Sequence, residues 1–267
     1  MQYTVDGLVI REVEAGENDK RITLLTADRG KITVSAKGAR SLKSKYMNAI
    51  SLFTYGNYEI TERAGFSWLG GASVNEPFYP IRDNIDRLAL ASYIVDVAGE
   101  LSGAEEPAEE MLKLTLNTLY AIANDLKPYE QIKAVFEIRA MAISGYMPML
   151  DFCDLCGGDK SALAYLDIMN GVLKCEDCIH KLNASKQVNV AEDGAAVILA
   201  PLDRGALAAA RYIVGAPSAK VMSFSLEEQS MAMLVKMAET YLVHHLEKSF
   251  SSLDFYNSLK NFDAKGH

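Results

Sequence analysis

Four cysteines, Cys153, Cys156, Cys175 and Cys178, carry the clearest chemical signal in the chain. They form two Cys-x-x-Cys pairs separated by 18 residues. Each pair sets two thiolates on one turn, and two such turns close a tetrahedron around a zinc ion, the zinc-ribbon pattern. Gly157 and Gly158 free the backbone after the first pair. Leu163 to Met169 reads as a strand, Asn170-Gly171 as a type I′ hairpin turn, and Val172-Leu173 as the returning strand. That hairpin would bring the two pairs together. Four thiolates fill a tetrahedral ion, so the predicted Zn2+ is structural and not hydrolytic. A thioredoxin-like redox pair lacks its βαβ surroundings here, and disulfides lack an oxidising compartment. His180 stands at Cys-x-His spacing as an alternative ligand, with a solvated histidine beside a filled site the favoured reading.

A second constellation is Ala36-Lys37-Gly38-Ala39-Arg40-Ser41-Leu42-Lys43-Ser44-Lys45. Small residues let a phosphate approach the backbone, Lys37, Arg40, Lys43 and Lys45 supply charge, and Ser41 and Ser44 supply hydroxyls. Walker and Rossmann spacings are both absent, so nucleotide hydrolysis is not indicated. The run belongs to a longer one: from Arg29 to Tyr58 there are six bases, counting Arg29 and Lys31, and no acid. In a chain of net charge −8 this predicts a local positive face for an anionic partner, against the plainer reading of a solvated loop. Aromatics follow closely (Phe53, Tyr55, Tyr58, Phe66 and Trp68), as in a groove where bases stack on exposed rings, although most of them should be core.

The secondary structure expected around these groups changes character near Pro80. Before it lie five strand-like runs: Val5 to Ile10, Arg21 to Thr26, Lys31 to Ala36, Leu52 to Thr61 and Phe66 to Leu69, with a turn at Asp28-Arg29-Gly30. Five short strands in that length predict a small barrel of the OB type, and an SH3-like barrel fits the count nearly as well. After Pro80, helical spacing marks Asn84 to Leu101 and Pro107 to Asn124. Pro128 then stands as a first helical residue of a helix stopped by Gly145. Ala191 to Tyr212 reads as one or two short helices around Pro201, and Ser225 with Glu228 as a capping box opening a long helix. The predicted class is α+β and multidomain: an OB-fold barrel (1–80), a helical bundle in two parts (81–150 and 182–267), and a small zinc-ribbon-like insert (151–181).

Composition excludes more than it selects. A hydrophobic content of 49% rules out a disordered acidic tail, and no apolar run is long enough to span a bilayer. Without an export signal at Met1 to Val5, a soluble cytoplasmic protein is expected. Catalytic arrangements are poor. His244 and His245 are adjacent on a helix and point about 100° apart, so one should pack while the other is solvated. Glu105, Glu106, Glu109 and Glu110 read as a cluster at a helix N-terminus. No nucleophile–base pair stands out, and an enzyme is not predicted.

Several runs, in order, resemble the bacterial RecO family of DNA repair and recombination proteins. They are Gly7 to Arg11, Gly16 to Arg21, Thr26 to Lys31, Ala36 to Arg40 with Ser44, Gly145 to Pro148 ahead of Cys153 and Cys156, Gly171 to Cys175, and His244 to Lys248 with Ser251 to Asp254. The resemblance implies an OB domain, a helical domain and a zinc-binding insert. It implies a recombination mediator that binds single- and double-stranded DNA and anneals complementary strands. With RecR, and RecF in some settings, such a mediator loads RecA onto strands coated by single-stranded DNA-binding protein, in the cytoplasm at the nucleoid. Joined with the basic run, this leads to the expectation that DNA meets the barrel electrostatically through Arg29, Lys31, Lys37, Arg40, Lys43 and Lys45. The alternative is an OB and zinc-ribbon module acting on RNA in transcription or translation.

Overall fold

A computed structural model describes residues 1–41, 44, 46–159, 162–184 and 197–263. Five strands come first: β1 (Gln2–Ala15), β2 (Asp19–Thr26), β3 (Gly30–Ala36), β4 (Tyr55–Arg63) and β5 (Phe66–Glu76). Helices α1 (Ile85–Leu101), α2 (Glu109–Ala123) and α3 (Tyr129–Ile143) follow. Next come β6 (Met149–Cys153), β7 (Leu163–Asp167), β8 (Val172–Cys175), α4 (Glu176–Ala184) and β9 (Leu199–Asp203). The chain ends with α5 (Arg204–Gly215), α6 (Glu228–Leu246) and α7 (Ser251–Asp263). Among the described residues no helix is long and apolar enough to cross a membrane.

Two compact units divide the chain: Met1–Leu126 with everything from Phe250 on, and Lys127–Ser249. The helical portion is therefore shared between them, and the cysteine region lies in one unit with α3, α5 and α6.

In the first unit, β1-β2-β3-β5-β4 close into an OB-like barrel. The long β1 makes closure possible, because its first half pairs with β4 and its second half with β2. A register shift between Val9 and Arg11 bends it between the two partners. Parallel pairing of Ser35 on β3 with Trp68 on β5 seals the barrel. Period-2 alternation aims Val9, Ile22, Leu24, Val34, Tyr58, Ile60 and Leu69 inward, with Ile50 from the β3–β4 connection. The buried Tyr58 hydroxyl donates to the Ala49 carbonyl at 2.6 Å, and burial raises its ionisation well above the usual phenol range.

Helices α1, α2 and α7 complete this unit. The Asn84 side chain caps α1 by accepting from the backbone N–H groups of Asp86 and Arg87. Their α1–α2 loop lies against the β2–β3 turn. There the Lys31 N–H donates to the Gly103 carbonyl, the Glu105 N–H to the Arg29 carbonyl, and the Ala108 N–H to the Ala27 carbonyl. Gly30 permits this approach: its φ is +55°, and a Cβ there would stand 2.3 Å from the Gly103 carbonyl oxygen. Gly30→Ala should cost about 1–2 kcal/mol from the left-handed backbone alone, and more from the collision. A lower urea midpoint at unchanged m-value would register the loss.

In the second unit, strands ordered β6-β8-β7-β9 form a sheet with α5 and α6 beside it, and α3 packs on those two helices. Four expectations are corrected here. Residues 199–203, read as helical around Pro201, are edge strand β9, where Pro201 opposite Tyr165 forfeits no required ladder bond. The start of that reading, 191–196, lies outside the described residues. Helix α6 begins at Glu228, so Ser225 caps nothing. The β7–β8 hairpin turns through four residues and not two, because Asp167 pairs with Val172 and its side chain accepts from the Asn170 N–H. At α3, Pro128 with ψ 137° is the residue before the helix, one position earlier than its sequence suggests.

Candidate metal centre and nucleic-acid interface

The cysteines meet as the spacing predicts. Cys153 ends β6, Cys156 follows in its turn, Cys175 ends β8, and Cys178 stands in the first turn of α4. Their sulfurs all lie within 4.8 Å of one another, with Cys156 and Cys175 at 3.7 Å. A tetrahedral ion with metal–sulfur bonds of about 2.3 Å needs sulfurs about 3.8 Å apart, so the four can hold a metal. Cys153 and Cys178 are buried, while Cys156 is exposed.

Backbone geometry prepares the thiolates. The Gly157 N–H donates to the Cys153 carbonyl at 2.8 Å, a turn that Gly157 closes at φ +68°. The Cys175 N–H donates to the Cys153 sulfur at 3.3 Å and ties the second pair to the first. Burial pushes the Cys153 thiol up, but N–H groups of Cys175, Cys156 and Leu155 outweigh it and bring its pKa to about 6. Cys178 is pushed up to about 12, first by its hydrogen bond with Cys175 and then by burial. Four sulfurs this close cannot all ionise unless a cation balances them.

Arg211 on α5, unremarked in the sequence, braces the first knuckle. It donates to the carbonyls of Leu150 and Asp151 at 2.7 and 2.8 Å and pairs with Asp159 at 2.5 Å. Its spacing from the cysteines gave no signal, since only the folded chain joins them. His180 is exposed and 3.9 Å from Glu176, outside the four-sulfur group. The His245 Nε2–H donates to the Ile168 carbonyl at 2.8 Å, and its ring centroid lies 4.2 Å from that of Tyr241. Both His244 and His245 are half-buried, so the expected division into one packed and one solvated ring is not found.

The candidate DNA-binding cations are separated into two groups. Arg29 and Lys31 flank Gly30 at one end of β3. Both are half-buried, and the Arg29 guanidinium lies over the Tyr3 ring, 4.2 Å from its centroid. The exposed Glu105 and Glu106 belong to the loop that covers this turn. Lys37 and Arg40 are exposed beyond the other end of β3, about 20 Å away at ~3.3 Å per residue. Arg40 is fixed on the β1–β2 turn: its backbone N–H donates to the Asn18 carbonyl, and its guanidinium bonds the Gly16 carbonyl and pairs with Glu14 at 3.2 Å. An exposed pair of this kind is worth at most about 1 kcal/mol and yields readily to a competing phosphate. Lys43 and Lys45 lie outside the described residues.

Between the two groups runs an outward row that the sequence reading missed. Arg21 pairs with Ser35, Ser35 with Trp68, and Trp68 with Thr61, one residue on each of four adjacent strands. Arg21 and Thr61 are exposed, while Ser35 and Trp68 are half-buried. Strict alternation was the available signal, because Ile22 and Leu24 face inward and Arg21 must then face out. Of the aromatics, Phe53 and Tyr58 are fully buried, Tyr55 is half-buried, and Phe66 is 67% exposed.

Comparison with known proteins covers nearly the whole chain. A family profile described as Recombination protein O N terminal matches residues 1–78, and one described as Recombination protein O C terminal matches residues 82–254. A protein named DNA repair protein RecO from Acetivibrio thermocellus is 31% identical over 95% of both chains. Proteins of the same name from Myxococcus xanthus and Thermoanaerobacter are 34% and 27% identical, covering 71% and 96% of this chain and 78% and 97% of their own.

Proposed function

The chain belongs to the recombination protein O (RecO) family of DNA repair proteins, and on that premise we propose that it acts as a recombination mediator. In this reading the barrel binds single- and double-stranded DNA and the protein anneals complementary strands. With RecR, and RecF where present, it helps load RecA onto strands coated by single-stranded DNA-binding protein. The observation that carries the reading is the family match across both units, from residue 1 to residue 254.

The physics of the barrel supports it. Lys37 and Arg40 offer charge at one end of β3, Lys43 and Lys45 follow them in the sequence, and Arg29 and Lys31 extend the path to the other end. About 20 Å is the rise of about six phosphates along one strand of a duplex, so one nucleic-acid chain can meet both ends. Annealing on such a surface needs no fuel. Cations lower the repulsion between two strands, and base pairing supplies the free energy. Net acidity elsewhere keeps the rest of the molecule from coating DNA indiscriminately. The four thiolates would hold one Zn2+, which supplies a cross-link and, with every position filled, no site for water activation. On this reading the protein is not an enzyme.

The test is annealing of complementary strands coated by single-stranded DNA-binding protein, with the chain and with its Lys37→Ala, Arg40→Ala, Lys43→Ala variant. The variant should bind all sequences more weakly, flatten the log–log salt slope by about 2 at ~0.7 per lost phosphate contact, and anneal more slowly. An unchanged slope would remove these residues from the interface, and a preference for RNA of matched sequence would favour the transcription or translation module instead.

A further inference from the structure

We infer that Phe66 and Trp68 form a stacking platform for the unpaired bases of single-stranded DNA on the outer face of the barrel. The inference rests on the DNA-binding reading above and names the part of the site that handles bases.

Residues two apart on a strand share a face, and Phe66 and Trp68 stand at the start of β5 beside the β4–β5 turn. Their ring centroids are 6.1 Å apart with planes tilted by 35°. The inward partner on the same strand is Leu69, 8% exposed in the barrel core, whereas Phe66 is 67% exposed. A phenylalanine needed for stability would be buried, since covering its ring is worth about 1.5–3 kcal/mol. One exposed ring is ordinary in any protein. Here the exposed ring touches the chain's only tryptophan, and both stand among polar and cationic groups.

Those groups are placed as a single strand requires. Arg63 pairs directly with Phe66 across the β4–β5 ladder and is exposed. Ser35 pairs with Trp68, and Arg21 with Ser35, so a second cation lies two strands away in the same row. Lys37 stands two residues after Ser35, just past the end of β3. Aromatic faces flanked by cations on both sides fit a strand whose bases are splayed onto rings while its phosphates meet the charges. A paired duplex keeps its bases stacked internally and has none to offer, so the platform selects single strands. Every base has a π-face, so stacking of this kind favours no sequence.

The single tryptophan makes the platform observable in the intact protein. Thymidine oligonucleotide is titrated while Trp68 emission, excited where tyrosine does not absorb, and the anisotropy of labelled oligonucleotide are followed together. Emission should be quenched in step with the anisotropy rise, and duplex should quench less at saturation. Phe66→Ala should weaken single-strand affinity by about 5- to 140-fold, the equivalent of ~1–3 kcal/mol per base, with an unchanged salt slope. Its urea midpoint should match that of the parent, since the ring is largely outside the core. Lys37→Ala should do the reverse, lowering the slope by about 0.7 while leaving the quenching at saturation intact. Binding without quenching, or a Phe66→Ala affinity within twofold of the parent, overturns the platform and leaves the DNA-binding reading standing. No binding by either signal overturns both.

Discussion

Stripping the metal with a strong chelator should abolish hydrogen-exchange protection across β6 to β8 and leave that of β1 to β5 in place. The sheet in the second unit is short of other anchors at this end. β6 meets β8 at only two register positions, Met149 with Val172 and Cys153 with Leu173, and β8 contributes four residues. Beyond these the knuckles are tied by the Asp154 N–H to the Leu173 carbonyl, by the Cys175 N–H to the Cys153 sulfur, and by Arg211 to the carbonyls of Leu150 and Asp151 and to Asp159. Structural zinc contributes about 10–16 kcal/mol of apparent binding free energy in isolated finger peptides near neutral pH, so loss of such an ion from these four thiolates would outweigh any single contact here. The metal must also displace protons, most of all from Cys178, whose pKa is pushed up to about 12. Affinity should therefore fall as pH falls. Cys153→Ser should mimic chelation, because Cys153 is buried and is the hub of the N–H bonds. Full protection after chelation, or protein isolated without one equivalent of metal, would refute the structural role.

The second large effect should come from Lys133. Its ammonium, on α3, is 1% exposed and lies 2.7 Å from Glu137 on the same helix and 2.7 Å from Glu239 on α6. Burial opposes its charge, but the two carboxylates outweigh burial and raise its pKa above the ordinary lysine value. A raised folded pKa contributes stability that is complete below about pH 10.4 and is lost only as pH rises through the folded value. The network is thus fully formed at neutral pH. Lys133→Met leaves the wholly buried Glu137 facing no cation on that side and should cost about 3–5 kcal/mol in urea unfolding. Replacing Glu137 by Leu in the same chain should recover most of that loss, because a buried pair exchanged for apolar groups of similar volume is close to neutral. A loss below 1 kcal/mol in the single variant would show that the pair stabilises nothing.

What could be read in the sequence was what is local. The cysteines are local in pairs, and two residues between thiols dictate a knuckle whatever surrounds it. The barrel strands alternate with period 2, so Ile22, Leu24 and Val34 announce their inward face and Arg21 its outward one. What pairs only across distance was not readable. Strand β9 is five residues beside an Ala-rich helix, and its strand character comes from pairing with β7, more than thirty residues earlier. The acid-free run from Arg29 to Tyr58 likewise does not give an acid-free surface. Folding sets Glu14 against Arg40 and brings the Glu105 loop against Arg29. Seven residues of β3 then hold the two cationic groups at opposite ends of one strand. The exposed ring of Phe66 and the half-buried ring of Trp68 could not be told from core aromatics until β5 had a register.

The most direct measurement of where DNA lies is photocrosslinking of the full-length protein to a single strand carrying 4-thiothymidine, with the joined peptides mapped by mass spectrometry. Crosslinks are expected on the β1–β2 turn, on residues 37–46 and on the start of β5 at Phe66 and Trp68. Crosslinks confined to residues 127–249, with the barrel untouched, would contradict DNA binding by the barrel.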